Sequence, residues 1–535
     1  MRRIVLATTI LAAFVVLTVR AQDDPQAVVN AAAQALGAAT LTSLQYSGSG
    51  TIDTFGQNWK NDVPWPEFNL TSYTATVDYS IPAMQVQLTR DNPDRGKPMQ
   101  GGGFPLAALQ NLNQVVSGKL AWNGGGENAT PALAAVNDRL LELWSTPHGA
   151  IKAAQAAGAK VKAEAVKNAS GESTGATTLT FPMMNTTFKV NVTKDHLVSR
   201  VEYQTDTPML GDTTHVMLYS NYQDFGGVKF PGRIAHVEGE NPQFKLAGFP
   251  IMTLTVSKVT PNAKVPVVPQ NVQQAAAAPP PSPLAVKVDK IAEGVYFLSG
   301  QGANSVAVEF SDHIVLIEAP QNDALTTARF DAVRKTIPNK PVRYVISTHH
   351  HFDHAGGLRA AVAEGATIIS HGLNQQFYEK VVQLPHTVNP DRLAKEPKKT
   401  NIEYVGTAFG AGRDERELTD GKRKLEIYRV TGSQHADDML MGYLPAEKIL
   451  VEADLFTPQT TPTPLAVTAR PPEAGAGGTV AGGGGLIIDP EPRNLYNNIQ
   501  RLKLQVETIA PLHGSVVKLA ELLKILGVPS VQAAL

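Results

Sequence analysis

The 535-residue chain is too long for one ordinary hydrophobic core, and its 43% hydrophobic and 18% charged residues are proportions of a folded protein, not a disordered one. A formal charge of −1 gives no global basic field, so nothing in the balance points to nucleic acid as a partner. Cysteine is absent, which removes disulfides, thiolate metal sites, iron–sulfur clusters and a cysteine nucleophile; any metal must be held by His, Asp, Glu or water.

Residues 1–21 have the form of an export signal. Arg2 and Arg3 precede a mostly apolar run from Ile4 to Val19, and Val19-Arg20-Ala21 places small residues three and one before a cut. The run is shorter than the roughly 20 residues of a membrane span, so cleavage and a periplasmic or secreted location are expected.

A helix is predicted near Pro25 to Ala39, and a second helical stretch from Ala132 to Val166 with breaks near Pro147 and Gly158. From Gly175 the period becomes two. In LVSRVEYQT, Leu197, Ser199, Val201 and Tyr203 share one face, while Val198, Arg200, Glu202 and Gln204 take the other, the pattern of a half-buried strand. THVMLYSNYQDF and VKFPGRIAHVEG flank Gly226-Gly227 as a hairpin, and Met252 to Val259 adds one more strand. The expectation is a curved antiparallel sheet with helices against it. The run YSNYQDFGGVKFPGRI resembles the periplasmic lipoprotein-carrier fold, which implies a surface able to hold acyl chains and hence a hydrophobic substrate. His148, His196, His215 and His236 are scattered here without ligand spacing and are expected to be ordinary surface or half-buried residues.

The segment Pro261 to Pro283 is rich in proline and alanine and predicts an extended, semi-rigid connector. The organisation expected is an export signal over 1–21, a β-rich accessory region over 22–260, a linker over 261–287 and a catalytic domain over 288–528. In that last part GVYFLSG, ANSVAVEF and HIVLIEAP are short strands, Asp323 to Thr336 a helix, and VRYVIS, ATIIS, KLEIYRV and KILVEA further strands. Helices follow at Glu491 to Leu504 and Val516 to Leu526. Two packed sheets with helices outside fit this order, giving an α+β protein.

Four of the thirteen histidines fall within His349-His350-His351-Phe352-Asp353-His354, just after the apolar strand VRYVIS. In an extended segment His349 and His351 project to the same side and can hold one metal. Asp353 and His354 are placed to hold a second, and Gly356 and Gly357 let the backbone turn closely beneath. Imidazole with carboxylate suits zinc, while iron and manganese accept similar donors. His350 points away from the metal face.

HHHFDH, set between VRYVIST and AGG, resembles the H-x-H-x-D-H signature of the metallo-β-lactamase superfamily over about Val288 to Val528. The resemblance implies an αββα sandwich and three further ligands in order: His435 in TGSQH, Asp454 in VEADLF and His513 in APLHG. One site would be His349, His351 and His435; the other Asp353, His354 and His513; Asp454 would bridge them. It implies two zinc ions per chain and a metal-bridging hydroxide acting on an ester, thioester, lactone or lactam bond of a small molecule, with Asp353 orienting the nucleophile and moving its proton. Asp454 resembles the thioesterase, lactonase, phosphodiesterase and arylsulfatase branches more than the β-lactamases. Two alternatives carry different chemistry: a mononuclear iron persulfide-oxidising relative, and a non-enzymatic periplasmic carrier of lipid or small molecules. Glu318, in VLIEAP, either orients a histidine ligand or is a surface charge. The loop from Thr457 to Gly485 has the length of a lid, and within it Arg470 either meets an anionic substrate or faces solvent.

Overall fold

The computed structural model describes residues 24–92, 100–102, 109–240, 249–265, 267–277, 284–407, 414–458, 479–482, 485–488 and 490–529. The expected export signal, Arg470 and most of the 457–485 loop lie outside the described residues. Among the described residues no helix is long and apolar enough to cross a membrane.

The N-terminal region is a 13-stranded antiparallel sheet built from two meanders. Its first strand, Ser43–Asp53, is central and pairs with its last, Phe249–Pro261. From Ser43–Asp53 the chain meanders out to one edge at Thr130–Pro131. Helices Val136–Ser145 and Pro147–Ala157 then carry it to the other edge, Lys162–Lys167, and seven strands return to the centre. These helices and Pro25–Ala35 pack on the sheet through Val29, Leu36, Leu143, Ala150 and Ile151, against Tyr46, Val77, Phe188 and Phe230. The Ala132–Val166 stretch thus departs from expectation at its end, because Lys162–Lys167 extends to pair with Ser173–Met183 as the sheet's edge. In LVSRVEYQT a register shift between Val198 and Arg200 breaks strict alternation, so Val198 is buried on the same side as Val201 and Tyr203.

The predicted connector is also partly different. Gln270–Ala277 is a helix whose Val272 is fully buried against Val115, Trp122 and Ala129, and whose Asn271 donates to the Ala129 carbonyl. Alanine and glutamine favour helix once Pro269 has supplied the start, which outweighs the extended bias of the flanking prolines.

The C-terminal half is a sandwich of a seven-stranded and a six-stranded sheet. Val306, Val308, Val315, Ile346 and Ile369 of the first interdigitate with Leu425, Ile427, Leu444, Val451 and Ala510 of the second. Helices Asp323–Thr336, Leu358–Glu364 and Gln375–Val381 cover the outer face of one sheet; Glu491–Leu502 and Leu519–Ile525 cover the other. Helix Asp323–Thr336 falls on its predicted bounds, because Asn322 caps it by accepting from the Leu325 amide and Arg334 and Lys335 lie in its last turn. Val342–Ile346 pairs in parallel on both sides, with Ile314–Ile317 and Thr367–His371, and its C-terminal end delivers the histidine cluster.

Candidate metal centre

The cluster begins where parallel pairing ends. The Ser347 amide still donates to the Ile369 carbonyl, and Tyr378 donates its hydroxyl to the His349 carbonyl at 3.1 Å, fixing the loop from behind. His351 then caps a single helical turn, Phe352–Ala355, with the His354 and Ala355 amides donating to its carbonyl. That turn carries Asp353 and His354 round to the other side of His349, with the His354 ring centroid 4.4 Å from that of His349. Gly356 and Gly357 are required by close approach: a Cβ on them would lie 2.0 Å from the Gln321 carbonyl oxygen and 1.9 Å from Thr326 Oγ1.

Three distant segments complete the centre. The Ser433 hydroxyl accepts from the His435 amide and places His435 Nε2 3.2 Å from His349 Nε2. Asp454 follows strand Ile449–Glu452 in a left-handed conformation (φ 57°), and the buried Glu452 carboxyl accepts from the Leu455 and Phe456 amides to hold that turn. Asn304 donates to the Gly514 carbonyl and steadies the loop of His513.

All seven residues that the resemblance assigns to the metals meet. His349, His351 and His435 form one group with ligating atoms within 4.8 Å of one another; Asp353, His354 and His513 form another; His349, His354 and Asp454 link them. Asp454 Oδ2 lies 2.8 Å from His354 Nε2 and 3.5 Å from both His349 Nε2 and His435 Nε2, while Oδ1 lies 3.4 Å from His513 Nε2. Most of the set is fully buried, and the Asp353 and His513 side chains, at 22% and 16% exposed, mark the open end.

The donor set fits cations. Among the described residues both Asp454 oxygens and His351 Nδ1 are buried without a hydrogen-bond partner, although the Asp454 oxygens face ring nitrogens. Burial, together with the imidazoles of His354, His351 and His435, holds His349 well below the usual histidine range, which leaves it neutral and able to offer a lone pair. Burial opposes charge on Asp454, yet His354, His513 and His435 outweigh it and keep the carboxylate ionised.

Outer contacts set the rings. Glu318, itself at φ 82°, accepts from Thr348 Oγ1 at 2.5 Å and lies 2.8 Å from His354 Nδ1, so of its two expected roles the structure places it behind a histidine and fully buried. His350 faces away from the centre, with Nδ1 2.7 Å from Asp438 Oδ1. His313, His371 and His386 lie outside the cluster, next to Asp312, Asp414 and Asp206 respectively.

The residues that sequence reasoning misses come from the N-terminal sheet. Between strands Ser43–Asp53 and Glu67–Asp78 the chain reaches into the centre. His351 Nε2 donates to the Asn58 carbonyl at 2.8 Å, Gln57 Nε2 donates to Asp353 Oδ1 at 2.9 Å, and Trp59 Nε1 donates to the Ser433 carbonyl at 3.1 Å. Phe55 meets Phe352 edge to face with centroids 5.2 Å apart. No periodicity marks this loop. Asp438, in the C-terminal half and also missed, does have a signal: two adjacent acids directly after His435-Ala436 and before the apolar run Met439 to Met441.

Residues 300–513 match the family model described as the metallo-beta-lactamase superfamily. Among solved structures the chain is similar to a metallo-beta-lactamase from Pontibacter korlensis, at 19% identity and a TM-score of 0.32, covering 45% of this chain and 98% of that one. It is also similar to one from Hirschia baltica, at 20% identity and a TM-score of 0.31, covering 45% and 95%. A third, FIM-1 from Pseudomonas aeruginosa in its mono-zinc form, shows 16% identity and a TM-score of 0.32, covering 48% and 99%. No curated protein matches the chain. Residues 300–513 therefore constitute a metallo-beta-lactamase superfamily domain, the framework of a metal-dependent hydrolase.

Proposed function

We propose that the centre holds two zinc ions, one on His349, His351 and His435, the other on Asp353, His354 and His513, with Asp454 shared, and that it hydrolyses an ester, thioester, lactone or lactam bond of a small molecule. The observation that carries this is Asp454: a fully buried carboxylate with both oxygens unpartnered, set between two groups of imidazoles. When bound, such a pair of ions supplies Lewis acidity and a water acidic enough to react near neutral pH.

The chain's own residues divide the remaining work. Asp353, at the open end and braced by Gln57, is positioned to orient the attacking water and take its proton. Glu318 and the Asn58 carbonyl fix the tautomers of His354 and His351. Phe55, Trp65 and Phe352 pack together beside the centre and limit water there. With no cysteine in the chain, no thiolate nucleophile competes with this route. The signal-like sequence of residues 1–21 is the reason to propose an exported enzyme, and the run YSNYQDFGGVKFPGRI the reason to propose a hydrophobic substrate.

Elemental analysis beside turnover on a panel of esters, thioesters, lactones and β-lactams tests the proposal. Two zincs at this centre and hydrolysis of one bond class are expected, both lost in Asp454→Ala. Full activity with under one metal per chain, or with a single iron, would refute it.

A further inference from the structure

His215 and His236, which spacing leaves unrelated, are brought together by the sheet. They sit on the adjacent strands Gly211–Asp224 and Lys229–Glu240, where Met217 lies opposite His236 and, in the same unbroken register, His215 lies opposite Glu238. Alternation along the strands then sends all three side chains to one face. His215 Nδ1 and His236 Nε2 are 3.2 Å apart, and His215 Nε2 is 3.6 Å from Glu238 Oε1. One ligand atom from each lies within 4.8 Å of the others, the spacing that also unites His349, His351 and His435. Two ligands on a tetrahedral zinc with bonds near 2.0–2.1 Å are themselves roughly 3.3 Å apart.

The surroundings orient this set and offer Glu238 no basic side chain. Tyr203 stacks on His215 with ring centroids 4.8 Å apart and planes at 2°, and Thr205 Oγ1 lies 2.7 Å from His215 Nε2. Burial, aided by His236, drives His215 down to about 3, and burial drives His236 down to about 4, so both rings are neutral with a lone pair available. Burial, with Asp138 adding repulsion, pushes Glu238 up to about 8. Among the described residues no lysine or arginine pairs with it. Near neutral pH Glu238 therefore holds a proton, and a cation that displaces it meets one carboxylate and two neutral imidazoles within ligating distance of one another.

We propose that His215, His236 and Glu238 form a separate binding site for one divalent cation of the zinc class, with water completing its coordination. The site stands where the two halves of the molecule join. Four residues before His215, the Gly211 turn packs against the Pro385 carbonyl, and Asp212 accepts from the Thr387 and Val388 amides. A cation there ties two strands together just behind that joint, a structural role independent of the hydrolytic centre.

The test is anomalous diffraction at the zinc edge from the full chain, stripped by chelation and reloaded with zinc to saturation, alongside zinc content of His236→Gln and Glu238→Gln. The expected result is a peak between the three side chains, and one zinc fewer in each variant with hydrolysis retained. A saturated full chain with no peak there overturns the proposal, and so does equal zinc content in the wild type and the folded variants. The wild-type map decides the matter even if a variant misfolds, and peaks at Asp454 are read separately.

Discussion

Glu318 illustrates what a single buried carboxylate does for a metal centre. It contacts Thr348 and His354 at once, so it couples the loop backbone to the ring that stands nearest Asp454. Glu318→Gln keeps the shape and removes the charge that favours a proton on His354 Nδ1. Zinc affinity, measured by competition with a chromogenic chelator, should fall by about 10- to 100-fold, the usual effect of losing such a partner. Gln57 acts on a different ligand. Its one hydrogen bond to Asp353 aligns the residue proposed to handle the proton, and a bond to a charged group is worth about 1.5 kcal/mol or more. Gln57→Ala should lower kcat roughly tenfold while zinc content stays at the wild-type level; unchanged kcat would show that Asp353 needs no such brace.

At the scale of elements, what is legible in the sequence follows from how local the cause is. The HHHFDH loop can be read because one apolar strand, VRYVIS, delivers four proposed ligands within six positions. Asp454 and His513 are readable only through the family pattern, although each does end an apolar strand. Gln57 and Asn58 leave no local trace, since their partners are 296 and 293 residues away. Linker helix Gln270–Ala277 and strand Lys162–Lys167 are missed for a similar reason: packing against an existing sheet edge decides the strand and, for the helix, adds to the local propensity that the flanking prolines mask.

Two predictions belong to this scale. Gly56 (φ 72°) passes so near the metal loop that a Cβ would lie 2.4 Å from Phe352 Cγ. Gly56→Ala should therefore cost about 1–3 kcal/mol in overpacking and displace the Phe352–Ala355 turn, seen as reduced zinc occupancy with the far-ultraviolet circular dichroism of the sheets retained. Helix Pro147–Ala157 carries the second prediction. Its His148 is fully buried, stacks on Phe230 and donates from Nε2 to the Leu36 carbonyl. Burial lowers the ring from 6.5 to about 4, so the unfolded chain takes up a proton that the folded one refuses. This contribution is intact above pH 6.5 and is lost as pH falls towards 4, by roughly 3 kcal/mol. Urea unfolding of His148→Gln against wild type should show a correspondingly shallower acid slope.

For the molecule as a whole, the question is whether the N-terminal sheet merely accompanies the hydrolase fold or forms part of it. The contacts favour the second. Met209 and Leu210, at the tip of a sheet hairpin, are buried in the same apolar cluster as Leu384 and Leu393 of the C-terminal half. At a second point the loop 55–61 supplies the Asn58 carbonyl to His351, Gln57 to Asp353, Trp59 to Ser433, and Asn61 to the Leu373 carbonyl. A fragment of residues 284–535 keeps all seven proposed ligands of the hydrolytic centre, lacks the His215–His236–Glu238 site, and loses all of these contacts. His351 then has a buried ring nitrogen without its acceptor, and the Phe352 turn loses Phe55. The fragment should bind zinc at least tenfold more weakly than the full chain, in line with loss of partners behind metal ligands, and unfold at lower urea concentration. Adding back zinc in excess should restore metal content before it restores kcat, because Gln57 remains missing. Equal zinc affinity and equal kcat in the fragment and the full chain would mean that the sheet is an attached neighbour, and that the loop 55–61 only rests on a centre already complete without it.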